Sequence, residues 1–513
     1  MKSNYYIPIC VFLIIACSPI SFAQSALHLV ATMKGDSTGD TFSVVSNVGD
    51  VNADGYDDLL VGAYGGNYAK LYFGGSVFDT IPDMVFRCDQ PHSWYGYALA
   101  GGKDINGDEY PDFVIGAPYY WNGGRPFGIS ETGKVSVFFG GPGLDTIPDV
   151  ELNCDGWYYW FGTSVSLGDV NSDGYSDIII GADNDDIDAR GRVFIYFGGR
   201  KINTTPDVIL EGQPFDNLGT SVAYAGDVNK DGCGDLLIGA PQFHLTGPRF
   251  QGGKAFLVYG GKDISLVNST IFVGDSIPPG QLGRVVAGMG DINNDGFNDI
   301  GIMGLRRQKI FLGSESTDTT ASSSLYPIKG FSFIGGLGDF NKDGFDDYVS
   351  VSDSVRIYTG ASSISKLPAH VLPWGYPVCC LGNKINDKKI EIAYGVNTYS
   401  IGFGIVYVYS FDIPDGIKKQ NDAILPKEFE LYQNYPNPFN SETIIEYDIT
   451  KSGFIEIEVY NLLGQKIRTL VGKTVHAGNH KIRFDAYELP GGVYFYRLKT
   501  TNGTIIKPML YLK

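Results

Sequence analysis

Six copies of a nine-residue acidic loop, each running straight into a short apolar stretch, restrict the fold of this chain more than any other feature. The copies begin at Asp50, Asp104, Asp169, Asp227, Asp291 and Asp339. The third reads Asp169-Val170-Asn171-Ser172-Asp173-Gly174-Tyr175-Ser176-Asp177, then Ile178-Ile179-Ile180-Gly181-Ala182. Positions 1, 3, 5 and 9 are Asp, Asn, Asp and Asp throughout. They are Asp50, Asn52, Asp54 and Asp58; Asp104, Asn106, Asp108 and Asp112; Asp169, Asn171, Asp173 and Asp177; Asp227, Asn229, Asp231 and Asp235; Asp291, Asn293, Asp295 and Asp299; and Asp339, Asn341, Asp343 and Asp347. Oxygen-only donors spaced around a turn suit a hard cation of flexible geometry, calcium before others. Carboxylates packed this closely repel one another unless a cation neutralises them. Asp, Asn and Gly also form good turns, so a single copy reads equally well as a turn alone. Six copies that all keep the ninth-position Asp predict about six calcium ions. Their expected job is structural: to pin the turn between two strands.

The loops also account for the charge. Of 513 residues, 57 are acidic and 39 basic, a net charge of −18, and each loop supplies three Asp at its donor positions. That balance argues against nucleic acid or an anionic membrane as a partner. The N-terminal 1–23 reads as an export signal: Lys2, an apolar run over 5–17, and Ser21-Phe22-Ala23 as a cleavage pattern. The run is too short for a transmembrane segment. Ile14-Ile15-Ala16-Cys17 offers a rival reading, lipidation of Cys17. The remaining cysteines, Cys88, Cys154, Cys233, Cys379 and Cys380, are odd in number and lack CxxC spacing, so they predict neither a disulfide framework nor a zinc site. The six His are scattered, and no HExxH, GxSxG or P-loop pattern occurs. The Asp pairs are already assigned to metal, so no catalytic residue is proposed and no enzyme is expected.

The repeat period of about 45–65 residues points to a propeller or an array. Each unit has a small-residue strand, the acidic loop and an apolar strand ending in Gly-Ala (Gly116-Ala117, Gly181-Ala182, Gly239-Ala240). A third strand follows, ending in aromatic-Gly-Gly (Phe139-Gly140-Gly141, Phe197-Gly198-Gly199), and then a short fourth (Val208-Ile209-Leu210-Glu211). Four strands make a propeller blade. A degenerate seventh unit over 382–395 keeps acids only at Asp387 and Glu391, so a blade without metal is expected there. It lacks a fourth strand, and 28–35 resembles one, so the first strand is expected to close the ring and remove an exposed edge. The predicted fold is all-β, a seven-bladed β-propeller followed by a small β-sandwich.

The six loops and their flanking strands resemble the FG-GAP repeats of the integrin α-subunit propeller, over 26–412. The resemblance implies cations on one face of the disc and ligands on the loops of the other. Two departures stand out. Glu109 occupies position 6, where Gly serves a positive φ at no steric cost, and Gly107 two residues earlier is expected to ease that turn. Cys233 sits at position 7, where only a backbone carbonyl is needed.

A polar, proline-punctuated linker over 413–427 precedes a compositionally distinct segment, 428–513. Strands are expected over 443–449, 455–460, 481–484 and 493–498. Gln433-Asn434-Tyr435-Pro436-Asn437-Pro438-Phe439-Asn440, Val459-Tyr460-Asn461-Leu462-Leu463-Gly464 and Gly492-Val493-Tyr494-Phe495-Tyr496-Arg497 resemble the type A sorting domain of the type IX secretion system. Phe484-Asp485 stands where that family usually has Trp-Asp. The resemblance implies the type IX machinery as a partner, and a protein secreted or held on the outer cell surface.

A ligand patch is expected at Trp94, Tyr119, Trp121, Trp157 and Tyr158, aromatics clustered in the second and third units that could anchor an extracellular protein or a glycan. The alternative is packing between blades, which Trp160 beside Phe161-Gly162 is expected to do. The sequence therefore reads as an exported calcium-binding adhesion or ligand-binding module. A scaffold for an enzyme acting on extracellular polysaccharide, or a surface-layer component without a ligand, are the competing readings.

Overall fold

In the computed structural model the chain divides into two compact units, Met1–Gly416 and Ile417–Lys513. The structure describes residues 27–513 apart from 76–77, 122–131, 155–159, 184–188, 242–251, 275–279, 306, 326–332, 366–367, 374, 376, 383–388, 397–402, 413–428, 432–433, 435–438, 450–451, 462–464, 488, 501–502 and 512–513. The expected signal over 1–23 with Cys17, the linker over 413–427 and positions 383–388 of the degenerate loop lie outside the described residues.

The first unit is a seven-bladed β-propeller of seven four-stranded antiparallel sheets. Blade 3 shows the pattern: Phe161–Gly168 innermost, then Asp177–Ala182, Arg192–Tyr196 and, at the rim, Val208–Glu211. Side-chain chemistry follows radial position. The second strands of blades 1 to 4, such as Asp177–Ala182, are buried at every residue, because adjacent blades cover both faces. Hence their unbroken apolar runs in place of alternation. The rim strand Val208–Glu211 buries Leu210 and exposes Ile209 and Glu211, the period-2 pattern of a half-covered sheet.

Blades meet through seven apolar seams. In one of them Val48, Leu60 and Phe86 of blade 1 pack on Phe113, Ile115 and Phe138 of blade 2. The Gly of each Gly-Ala pair has a steric reason. A Cβ on Gly181 would stand 2.1 Å from the Gly219 carbonyl oxygen of the next blade, and one on Gly239 would stand 1.9 Å from that of Gly283. Only a residue without a side chain lets the blades approach this closely.

The ring closes as expected. Leu27–Lys34 pairs antiparallel with Ile405–Asp412, from Leu27 opposite Phe411 to Lys34 opposite Ile405. The seventh blade is thus Val378–Gly382, Lys389–Val396, Ile405–Asp412 and the chain's first strand.

The second unit places a three-stranded sheet (Phe429–Leu431, Glu442–Ile449, Gly478–Asp485) and a four-stranded sheet (Lys466–Val475, Gly453–Asn461, Gly492–Thr500, Gly503–Tyr511) around one core. Ile445, Tyr447 and Phe484 of the first meet Ile457, Val459 and Tyr496 of the second. Phe484 is fully buried and meets Phe439 edge to face, filling its place without an indole. Asn434 is buried: its N–H donates to the Tyr496 hydroxyl at 2.8 Å and its Nδ2 to Thr443 Oγ1 at 3.0 Å.

Glu458 in this unit is buried and accepts from Tyr460 Oη at 2.6 Å, Arg497 at 2.6 Å and Lys466 at 3.1 Å. The Tyr460 and Arg497 hydrogen bonds hold its carboxyl down at about 2. Its partners Lys466 and Arg497 are partly solvated, so Glu458→Ala is expected to destabilise this unit by about 1 kcal/mol. Because the folded state depresses the carboxyl, the contribution is complete above the unfolded range near pH 4.5 and fades as pH falls towards 2. Hydrogen exchange of Gly453–Asn461 and Gly492–Thr500 in the full chain reads both effects. Unchanged protection in the variant at neutral pH contradicts the assignment.

Candidate metal centre

Each acidic loop joins the first strand of a blade to the second and is folded on its own backbone in the same way. In the third loop, Asp169 Oδ1 accepts the N–H of Asp173 at 3.2 Å and its Oδ2 that of Gly174 at 3.0 Å. Asn171 Oδ1 accepts the Asp173 N–H at 2.9 Å and its Nδ2 donates to Asp173 Oδ2 at 2.9 Å. Asp173 Oδ1 accepts the Tyr175 N–H at 2.9 Å. The position-6 bonds to Asp50, Asp104, Asp227, Asp291 and Asp339 repeat at 2.7–2.9 Å.

Two left-handed residues shape the turn. Position 6 has φ between 74° and 95° in all six copies, and position 4 between 55° and 79°. The second copy corrects the sequence expectation. Gly107 does not relieve Glu109, which still adopts φ 74°, at about 1 kcal/mol relative to Gly. Gly107 instead donates to Asp104 Oδ1 at 2.6 Å, a bond made by position 5 in the other copies.

The ninth-position Asp is different in kind. Asp58, Asp112, Asp177, Asp235, Asp299 and Asp347 are fully buried. One oxygen accepts the position-2 N–H of the same loop (Val170 to Asp177, 2.8 Å), and the other accepts the N–H of the glycine two residues past the blade's third strand (Gly198 to Asp177, 2.9 Å). Equivalent pairs join Val51 and Gly74 to Asp58, Ile105 and Gly140 to Asp112, Val228 and Gly260 to Asp235, Ile292 and Gly313 to Asp299, and Phe340 and Gly360 to Asp347. Burial pushes these carboxyls up to about 7, and Asp235 to about 6. The two backbone N–H groups oppose that shift, and the position-5 carboxylate of the same loop adds to it, with position 1 doing the same in all but the last.

Adjacent loops are hydrogen-bonded into a chain that sequence reasoning missed. The residue after that glycine donates to the position-2 carbonyl of the preceding loop: Gly141 to Val51, Gly199 to Ile105, Gly261 to Val170, Ser314 to Val228 and Ala361 to Ile292, at 2.7–3.0 Å. Position-8 N–H groups reach the preceding position-1 carbonyls, as Ser176 does to Asp104, Asn298 to Asp227 and Asp346 to Asp291. Asp112, Asp177, Asp235, Asp299 and Asp347 therefore each hold their own loop and, through that glycine and the residue after it, the loop before it.

These donors suit a hard cation. They are oxygens only, they carry surplus negative charge, and a carboxylate or amide oxygen bonded once to N–H keeps a second lone pair. As folded, the carboxylates are turned onto backbone N–H groups, and among the described residues no group of three or more His, Cys, Asp or Glu stands ready to hold a metal ion.

The opposite ends of the same strands carry the aromatic residues. Trp94 and Tyr119 are in contact, ring centroids 4.1 Å apart, and Trp160 lies 5.1 Å from Tyr119. Tyr64 and Tyr97, absent from the sequence-based patch, join them 5.6 and 5.5 Å from Trp94. All five are half-buried. Trp160 thus sits between blades as expected, yet also lies in the cluster. Trp121 is placed by its backbone, which exchanges hydrogen bonds with the Gln90 side chain. Trp157 and Tyr158 lie outside the described residues. Among the described residues no helix is long and apolar enough to cross a membrane.

Residues 43–78, 95–138, 161–196 and 218–257 match the FG-GAP repeat, and residues 433–511 match a secretion system C-terminal sorting domain. The chain is 34% identical over 209 residues to integrin alpha-V of Gallus gallus and 31% identical over 203 residues to integrin alpha-5 of Xenopus laevis. It is 27% identical over 264 residues to integrin alpha-7 of Rattus norvegicus. These alignments take in 38%, 38% and 47% of this chain but only 19%, 19% and 22% of the relatives' length. The sorting domain marks the chain for export by the type IX secretion system to the cell surface or the extracellular space. The chain thus carries FG-GAP repeats, with integrin alpha relatives, in a seven-bladed propeller and ends in a secretion system C-terminal sorting domain.

Proposed function

We propose that the protein is an exported propeller stiffened by calcium on one face and presenting a ligand-binding face on the other, an adhesion or recognition module and not an enzyme. The supporting observation is the sixfold repetition of one hydrogen-bonded acidic frame. Positions 1, 3, 5 and 9, with the position-7 carbonyl, would hold each ion: in the third loop Asp169, Asn171, Asp173, Asp177 and the Tyr175 carbonyl. A calcium ion supplies the countercharge that lets a buried, raised carboxyl such as Asp177 ionise beside two like charges. The FG-GAP resemblance supports the face opposite these loops as the ligand face.

Equilibrium dialysis of the full chain against calcium tests this. About six ions per chain are expected, falling by about one with Asp169→Ala/Asp173→Ala. Uptake of none overturns the reading.

A further inference from the structure

We propose that the aromatic cluster over blades 1 to 3 is a stacking site for an uncharged oligosaccharide. The proposal deepens the ligand-face reading above and rests on it.

A left-handed backbone recurs in the loops that lead into the innermost strands. In five blades the residue just before the buried apolar or aromatic residue that leads into the innermost strand is left-handed: Thr41 at φ 53°, Trp94 at 57°, Trp160 at 45°, Asn217 at 52° and Gln281 at 45°. In blades 1, 4 and 5 that residue is polar and bonds locally. Thr41 Oγ1 accepts the Gly65 N–H at 2.7 Å, Asn217 Nδ2 donates to Asp183 at 2.8 Å, and Gln281 Oε1 accepts from Arg284 at 3.4 Å. Asn in particular tolerates this conformation, whereas a bulky side chain there is an outlier. Of these five, blades 2 and 3 carry Trp at the position in place of a hydrogen-bonding polar side chain. The left-handed backbone is common to all five positions, so what sets blades 2 and 3 apart is the indole placed there.

What the two Trp gain is each other's neighbourhood. Tyr64, Trp94, Tyr119 and Trp160 run in steps of 5.6, 4.1 and 5.1 Å, with Tyr97 stacked beside Trp94 at 25°. They form a half-buried chain of ring contacts across three blades. The strip has no charged side chain of its own, and its polar atoms are phenol hydroxyls and indole N–H groups at the ring rims. Pyranose chains match this: C–H faces that lie on aromatic rings, hydroxyls at the rim for hydrogen bonds, and no charge. An acidic or basic polymer would find no counter-ion in the five side chains.

The test uses the full chain loaded with calcium, titrated with cellohexaose, laminarihexaose and mannohexaose while tryptophan fluorescence is followed, with an oligolysine peptide as the charged probe. The variants are Trp94→Asn and Trp160→Asn, which install the residue the fold itself uses at 217. We expect at least one hexasaccharide to bind and shift the emission, each variant to weaken binding tenfold or more, and the melting temperature to hold or rise. Melting temperatures that fall in both variants, with no hexasaccharide bound by the parent, make the cluster interblade packing and overturn the proposal. Binding of oligolysine in place of the sugars overturns the carbohydrate assignment but leaves a ligand face standing. Sugar binding that both variants retain overturns the site and leaves the broader recognition reading intact.

Discussion

Chelating calcium from the full chain is expected to lower its melting temperature by on the order of 10 °C, through loss of about 2.7 kcal/mol for each site held at a hundredfold excess over its dissociation constant. The effect is large because the loops do not stand alone. Asp177 holds the Val170 and Gly198 N–H groups, and Gly199 in turn holds the Ile105 carbonyl of the loop before it. Loosening one loop removes the brace from its neighbour, so calcium titrations followed by melting should be steeper than a one-site curve. The pH dependence has a definite sign. The folded chelated state raises the ninth-position carboxyls to about 6–7, so between about pH 4 and pH 7 it binds protons that the unfolded chain does not. Without calcium, stability therefore falls as pH rises through that window. Calcium binds the ionised form, so the calcium-dependent gain in melting temperature should be small at pH 5 and full above pH 7. Calorimetry with and without EDTA at both pH values decides it. A melt that ignores EDTA at pH 7.5 removes the structural role assigned to the ion.

The blades were legible in the sequence because their signals are local and repeated: an acidic turn, an apolar run, an aromatic-Gly-Gly turn. Closure was legible because 28–35 carries the pattern of a rim strand that the seventh unit lacks. The double role of the ninth-position Asp was not, because its second partner lies far along the chain; Gly140 is 28 residues from Asp112. Position 4 gave no warning of its left-handed backbone, since Ala53, Ser172 and Lys342 are ordinary residues with nothing in common. Tyr64 and Tyr97 escaped the ligand patch because ring contact across a blade boundary has no sequence spacing. In the sorting domain the four expected strands are present, but Phe429–Leu431, Lys466–Val475 and Gly503–Tyr511 were missed. All three are sheet edges. Charges such as Lys466, Arg468 and Lys473, and Pro508, protect an edge from pairing with other chains, and they also dilute the strand signal.

A variant lacking 27–34 is expected to lose cooperative folding of the propeller, a larger effect than any single substitution in it. The strand supplies the rim of the seventh blade, register-paired from Leu27 opposite Phe411 to Lys34 opposite Ile405. It also fills the closing seam: Ala31 and Met33 are buried against Phe42, Leu59 and Val61 of blade 1 and Val406 and Val408 of blade 7. Emptying the Met33 site alone should cost about 2–5 kcal/mol, and Met33→Ala tests that part separately. Removing the strand does more. It bares the backbone of Ile405–Asp412 as an unprotected edge, a template for pairing with another chain. It also opens a closed ring into a linear stack whose end blades are held on one side only, and such stacks unfold from their ends. The intact propeller should therefore melt in one transition, and the truncated chain in a broad, early one with association visible by size-exclusion chromatography. Synthetic peptide 27–34 added in excess should narrow the transition again. A truncated chain that stays monomeric and melts like the parent would show that the seam between blades 7 and 1 holds without its strand.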